Sequence, residues 1–204
     1  MLSPKTAVSR PAAATHVARR GSRPITDRVK ESLFNVLGNY ELPTRSTSPS
    51  VASSGQGGKL VADLFCGVGS LGLEALSRGA AFVTFVEQDQ EIITILDKNI
   101  EKAGFVKDSK VIRANAFKIG APVDPDGQKY NIVFVDPPYV STRDVQTDSP
   151  LGGLLDLLGE QVAADGVVVV RTSRDSFLQE QYGIFKVIER RQWGTMAVTI
   201  LRKK

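Results

Sequence analysis

Residues 136 to 139, Asp-Pro-Pro-Tyr, end an apolar run that begins just after Asn131. Proline fixes its own φ and has no N–H to offer a neighbouring strand, so a strand through 131–135 must stop here. The corner that follows is stiff. It offers a carboxylate (Asp136), two locked residues (Pro137 and Pro138) and a flat aromatic face (Tyr139). A carboxylate and an exposed backbone carbonyl can together hold both hydrogens of an exocyclic amine on a nucleobase. Such an amine is a poor nucleophile because its lone pair is delocalised into the ring. Holding its hydrogens aims the lone pair at an electrophile and stabilises the positive charge that builds on nitrogen. Tyr139 can stack on a base that has left its own stack. The corner therefore suits methyl transfer to a base amine. The competing reading is a proline-terminated strand beside a core tyrosine.

A second set of residues can hold a cofactor. The stretch Asp63 to Gly72 carries Gly67, Gly69 and Gly72 in G-x-G-x-x-G spacing, directly after another apolar run. Such glycines allow close backbone approach to a ligand at a turn that feeds a helix N-terminus. Glu87 closes the next apolar run, where a carboxylate can accept both ribose hydroxyls of an adenosine. The glycines alone could serve only tight strand–helix packing, but loop, strand and acid together favour an adenosine-containing cofactor. A nicotinamide dinucleotide would rest its pyrophosphate on the helix N-terminus. S-adenosyl-L-methionine has no phosphate and brings a charged amino-acid tail instead. Asp63 would repel a pyrophosphate and can accept from an ammonium, which favours S-adenosyl-L-methionine; its alternative role is a strand-end cap for backbone N–H groups. Asn115 and Ala116, past the third apolar run, lie where a side-chain amide can read an adenine edge, or simply in a loop. Phe65 and Leu71 within the glycine stretch and Gln88 after the acid complete the candidate cofactor contacts. Cys66 has no basic partner in its motif and reads as loop packing rather than a nucleophile.

The elements that must position these groups alternate along the chain. Apolar runs at 59–65, 81–87, 110–114, 130–136 and 166–172 read as strands, with helical segments after the glycine loop, from Asp89 to about Ala103, and near 151 to 163. Short apolar strands separated by helical crossovers mean a mainly parallel, doubly wound α/β sheet covered on both faces. The tail from Gly183 reads as two strands joined by a tight turn, an antiparallel hairpin added at the sheet edge. Before the sheet, Val29, Leu33, Val36 and Leu37 recur at helical spacing behind Thr26, a candidate N-cap. Four regions result: a basic arm 1–22, a helix motif 23–42, a Ser/Gly/Pro-rich flexible linker 43–58, and the α/β domain 59–204.

Charge is unevenly distributed. Of 26 basic residues, seven (Lys5, Arg10, Arg19, Arg20, Arg23, Arg28 and Lys30) fall in the first 30 positions beside a single acid, Asp27. The rest of the chain is slightly acidic, so the net +4 sits on the N-terminal arm. That asymmetry points to a polyanionic partner, nucleic acid first. A solvated tail or an Arg/Ser/Ala-rich targeting peptide over residues 1–20 are the alternatives, the latter implying an organelle. No apolar run is long enough for a membrane span. One cysteine and no Cys/His cluster mean no intrachain disulfide and no metal, which fits a reducing, cytoplasmic setting.

The segments Arg23–Leu37, Asp63–Ala80 and Asn131–Tyr139 resemble the bacterial 16S rRNA (guanine(966)-N(2))-methyltransferase family, and the similarity runs from about 23 to 202. The Asp-Pro-Pro-Tyr motif is shared with amino-directed nucleic-acid methyltransferases at large; the 23–37 motif is not. The resemblance implies a Rossmann-like class I methyltransferase fold, S-adenosyl-L-methionine as cofactor, and 16S rRNA in the small subunit or its assembly intermediate as substrate. Gly67, Gly69 and Glu87 match cofactor positions, and Asp136, Pro137, Pro138 and Tyr139 match the catalytic corner. Arg23, Thr26, Asp27 and Arg28 match the family's motif ahead of the domain; Arg23, Thr26 and Arg28, with Arg19, Arg20 and Lys30, are the candidate RNA contacts. Family members usually begin with a basic hairpin, whereas residues 1–22 keep the charge without the hairpin pattern. Three alternatives remain at this point: an adenine-N6 methyltransferase, a nicotinamide-dependent dehydrogenase that would leave Asp136–Tyr139 unexplained, and a non-catalytic nucleic-acid-binding protein.

Overall fold

A computed structural model describes residues 25–38, 58–123, 125 and 127–204. The arm with Arg19, Arg20 and Arg23, and all of the linker before Gly58, lie outside the described residues. Strands β1 (Leu60–Leu64), β2 (Phe82–Glu87), β3 (Ser109–Arg113), β4 (Tyr130–Val135), β5 (Val162–Ser173), β6 (Gln181–Tyr182), β7 (Phe185–Trp193) and β8 (Met196–Lys203) form one sheet. Its order is β3-β2-β1-β4-β5-β8-β7-β6. The first five strands run parallel. β8 lies antiparallel between β5 and β7, which extends the sheet as the tail pattern predicted. Gly194, at φ 58°, opens the two-residue turn between Trp193 and Met196. A positive φ at that position matches the twist of the strands it joins.

The crossovers are α2 (Ser70–Ser77), α3 (Gln90–Ala103), α4 (Ala116–Ile119) and α5 (Pro150–Gln161), preceded by α1 (Asp27–Gly38). Asp89 starts α3 as its cap, accepting from the N–H groups of Glu91 and Ile92, and Gly104 ends it in the left-handed region. α5 begins at Pro150 behind Ser149, whose hydroxyl accepts from Gly152 N–H. It stops at Gln161 rather than near 163, because Val162 already pairs with Tyr130 in the sheet. Among the described residues, no helix is long and apolar enough to cross a membrane.

Alternate residues of each strand supply two cores on opposite faces. Val61, Phe85, Phe134, Val169 and Ile200 belong to one; Ala62, Val86, Val135, Val170 and Leu201 belong to the other, under α5. α1 packs into the first core through Leu33, Phe34, Val36 and Leu37. The Phe34 and Phe134 rings lie 5.7 Å apart. Burying each such side chain contributes roughly 1.5–3 kcal/mol. The 23–42 motif is thus tied to the α/β domain by its helix and shares that core.

Candidate active site

The strand order reverses between β1 and β4, the place where an open α/β sheet leaves a crevice at its carboxyl edge. Leu64 is paired with Val135 in register, and the next N–H on β4, that of Asp136, donates to Leu64 O at 3.3 Å. Glycine loop and acid corner therefore leave the sheet side by side. Phe65 begins the loop at φ 58°, the one non-glycine with positive φ among the described residues. Such a conformation is uncommon for an aromatic residue and persists where the surroundings enforce it. Its ring packs 4.7 Å from that of Phe117.

The three glycines divide their labour. At Gly67, φ 56°, an added Cβ would meet nothing within 4 Å, so the backbone borders open space. A Cβ on Gly69 would lie 2.4 Å from Leu96 Cδ1, and one on Gly72 2.2 Å from Phe85 Cε1. Those two glycines let α2 and α3 close on the sheet; only Gly67 leaves room for a ligand. Leu71 likewise puts its side chain in the core, which leaves its backbone for any cofactor contact.

Both predicted acids are buried and brace the loop. Asp63 Oδ2 accepts from Gly72 N–H at 2.8 Å, so the backbone-cap alternative is realised. Glu87 Oε2 accepts from Gly67 N–H at 3.0 Å, while its Oε1 accepts from Gln88 N–H at 2.8 Å and Asp89 N–H at 3.0 Å. Gly69 N–H donates to Cys66 O at 2.9 Å. All three glycine N–H groups are engaged, two of them by carboxylates, which is a poor environment for a pyrophosphate. A cofactor with an adenosine and a cationic, phosphate-free tail fits better. Ser70 Oγ, at the start of α2, is shielded from solvent with no hydrogen-bond partner, a polar atom that a bound tail can satisfy. Asn115 caps α4, its Oδ1 accepting from Phe117 N–H at 3.0 Å, so its amide nitrogen is the atom available to an adenine acceptor. Ala116 is buried beside it and Gln88 is exposed. Asn99, which the sequence showed only as a helix position, donates from Nδ2 to Val68 O at 3.0 Å and steadies the loop from α3.

At the corner, Pro137 is buried and Pro138 leads into a 3-10 turn, Tyr139–Thr142. The carbonyls of Pro138 and Tyr139 accept from Ser141 N–H and Thr142 Oγ1 inside that turn. Asp136 is not alone. Arg171, on β5, donates from Nε to Asp136 Oδ1 at 2.5 Å, with side-chain exposures of 5% and 18%. The same guanidinium lies 5.9 Å from the centroid of the Tyr139 ring. The Tyr139 hydroxyl is buried without a partner, and Val140 beside it is exposed. Sequence reading missed Arg171. Its one signal was a charge ending the run Val167–Val170, whose register neighbour could not be known beforehand. Of the described RNA candidates, Thr26 and Arg28 are exposed, while Lys30 is largely covered and pairs with Asp27 at 2.9 Å.

Comparison with known proteins bears on the family and the fold. A family model described as conserved hypothetical protein 95 matches residues 13–202. "Putative rRNA methyltransferase YlbH" of Bacillus subtilis is 31% identical over 190 residues, which is 92% of this chain and 91% of that protein. Ribosomal RNA small subunit methyltransferase D of Escherichia coli K12 is 40% identical over 121 residues, 58% of this chain and half of that protein. A solved structure, "Putative methyltransferase yhhF from Escherichia coli", superposes with a TM-score of 0.67 at 28% identity, covering 91% of this chain and 90% of that one. The fold is the Rossmann-like class I methyltransferase fold with an antiparallel carboxyl-terminal extension. Matched over nearly its whole length, the chain belongs to the conserved hypothetical protein 95 family, among the relatives of bacterial rRNA methyltransferases.

Proposed function

We propose that the protein methylates the exocyclic N2 amine of a guanine in small-subunit rRNA, using S-adenosyl-L-methionine and acting on the subunit or an assembly intermediate. The observation that carries this reading is the Asp136–Tyr139 corner, held one hydrogen bond from the end of β1 where the glycine loop begins. When bound, S-adenosyl-L-methionine supplies a methyl group on a positively charged sulfur. Glu87 would take the ribose hydroxyls, Gly67 would admit the tail, and Phe65 with Phe117 would border the adenine. Asp136 accepts one hydrogen of the target amine. Because the Pro138 and Tyr139 carbonyls are engaged within the turn, the second hydrogen falls to the carbonyl of Pro137. Tyr139 and the exposed Val140 meet the face of the extruded base. As positive charge moves onto the amine nitrogen, the fixed acceptors stabilise it without having to reorganise.

An adenine N6 amine would present the same two hydrogens to the same corner. Likeness to the guanine-N2 family in the 23–37 motif, and to a small-subunit enzyme of Escherichia coli, favours guanine in that subunit. The test is single-turnover methylation of small-subunit particles lacking the modification, with product nucleosides identified by mass. N2-methylguanosine is expected. N6-methyladenosine, or a wild-type rate from Asp136→Ala, would overturn the reading. Losing one oriented contact of this kind costs on the order of 10²–10³ in rate, so Asp136→Asn should retain more activity than Asp136→Ala. Tyr139→Phe should stay active and Tyr139→Ala should lose base capture.

A further inference from the structure

We infer that Arg171 is a positioning residue for methyl transfer, fixing the Asp136 carboxylate from one side and the Tyr139 ring from another. The inference rests on the proposed function. β4 and β5 run parallel with Val135 opposite Val170, so Asp136 and Arg171 are the next rung of the same ladder. Their separation, Nε to Oδ1, is 2.5 Å, and the guanidinium carbon lies 5.9 Å from the Tyr139 centroid.

A buried guanidinium at this rung is expensive. Arg171 is 4% exposed and follows four valines that are themselves buried. Desolvating such an ion pair offsets most of its attraction, and a well-packed apolar pair would stabilise the sheet as well or better. Folding alone gives little reason for an arginine here. Geometry does. A carboxylate held only by its Cβ–Cγ bond can rotate about χ2. One oxygen tied to Nε sets the plane of the group and turns the other oxygen along a fixed direction. On its other side, the guanidinium sits within cation–π range of the Tyr139 ring, so one β5 side chain references both parts of the corner.

The test uses full-length protein, small-subunit particles and S-adenosylhomocysteine as the cofactor probe. Arg171→Met keeps the bulk and removes the charge. It should bind S-adenosylhomocysteine like the wild type while its single-turnover rate falls by about 10²-fold, the scale of one misplaced electrostatic contact. Arg171→Lys keeps a point charge without the planar fork and should fall between the two. Methylguanidinium added to Arg171→Ala should restore part of the rate, which a packing defect would not allow. In thermal unfolding, Asp136→Asn and Arg171→Met should each lower the midpoint, and the double variant should lower it by less than their sum. A wild-type rate from folded Arg171→Met, or a loss that neither lysine nor methylguanidinium relieves, overturns the inference. Should Arg171→Met fail to fold, a wild-type rate from Arg171→Lys would do the same. Failure of the underlying reading is distinguishable, because the unsubstituted protein would then methylate no guanine.

Discussion

Carboxylates are the decisive residues of this protein, and none of those at the site acts alone. Glu87 accepts from three backbone N–H groups, two of which start the path into α3 and one of which belongs to Gly67. A substitution there therefore tests two things at once. Glu87→Ala should weaken S-adenosyl-L-methionine binding, yet it also takes the acceptor from three backbone N–H groups and will lower stability. In Glu87→Gln the amide oxygen still accepts on one side, but the amide nitrogen on the other faces N–H donors, so this variant should also unfold earlier, though by less than the alanine. We expect its cofactor affinity to drop by about 1–3 kcal/mol, the scale for hydrogen bonds to a charged group, and its unfolding midpoint on the same preparations separates that loss from lost stability. Calorimetry with S-adenosylhomocysteine measures the affinity, and an unaltered value would remove Glu87 from the ribose. Asp63 was legible as an important acid because it sits inside a strand, four residues before the first glycine of the loop. Its bond to Gly72 N–H was legible only as one of two options, because sequence gives the residue type and not the direction of the carboxylate.

At the scale of elements, the glycine loop separates packing from binding. Gly72→Ala would drive a Cβ to 2.2 Å from the Phe85 ring, which is fully buried and cannot retreat. Overpacking of that kind typically costs about 1–3 kcal/mol, so this variant should unfold earlier. Gly67→Ala meets open space and pays mainly for its φ of 56°. It should lose on the order of 1 kcal/mol of stability and a larger share of cofactor affinity. Denaturant midpoints beside calorimetric titrations of both variants check the division; the reverse pattern would place the ligand elsewhere. A second element ties down the segment before α5. Tyr182 of β6 is buried, donates its hydroxyl to Val145 O, and accepts from Gln179 N–H at 3.1 Å. Burial pushes this hydroxyl above its ordinary range. A folded-state value raised above the unfolded one means stability that is fully present below about pH 10 and is lost as pH rises beyond it. Tyr182→Phe should cost about 1–3 kcal/mol at neutral pH, since it strands a carbonyl and an N–H. Its stability should then change less than the wild type's in alkali, as urea midpoints at both pH values will show. β6 itself was invisible in the sequence: two residues with no alternation are held as a strand only by their pairing with β7.

For the whole molecule, what sequence made legible was periodicity and punctuation. The parallel strands could be read because each holds an apolar run, buried on both faces in β1, β2 and β4 and through residues 166–172 of β5, while β3 at the sheet edge is only partly covered; the tail hairpin could be read because its pattern and turn differ from the rest. Contacts between runs could not be read. Arg171 meets Asp136 across 35 residues of chain, and α1 joins the core across the linker through Phe34 on Phe134; both depend on register and strand order. Charge distribution, by contrast, is a property of sequence alone, and it yields the last prediction. Residues 1–22 hold Lys5, Arg10, Arg19 and Arg20 and no acid, ahead of a domain that is slightly acidic. If those four cations meet phosphates, removing them withdraws four counterion-releasing contacts. The slope of log affinity against log salt for small-subunit rRNA should then become shallower by roughly 3, at about 0.7–0.9 per phosphate contact. S-adenosylhomocysteine affinity should not change, because every predicted cofactor contact lies from Asp63 onward. The thermal midpoint should hold too, since the first buried core residue described is Ile25. RNA binding by filter retention across a salt series, with calorimetry on the same preparations, measures all three. A truncated protein with the full-length slope would free the arm of any role in RNA binding and leave docking to the folded face around Thr26 and Arg28.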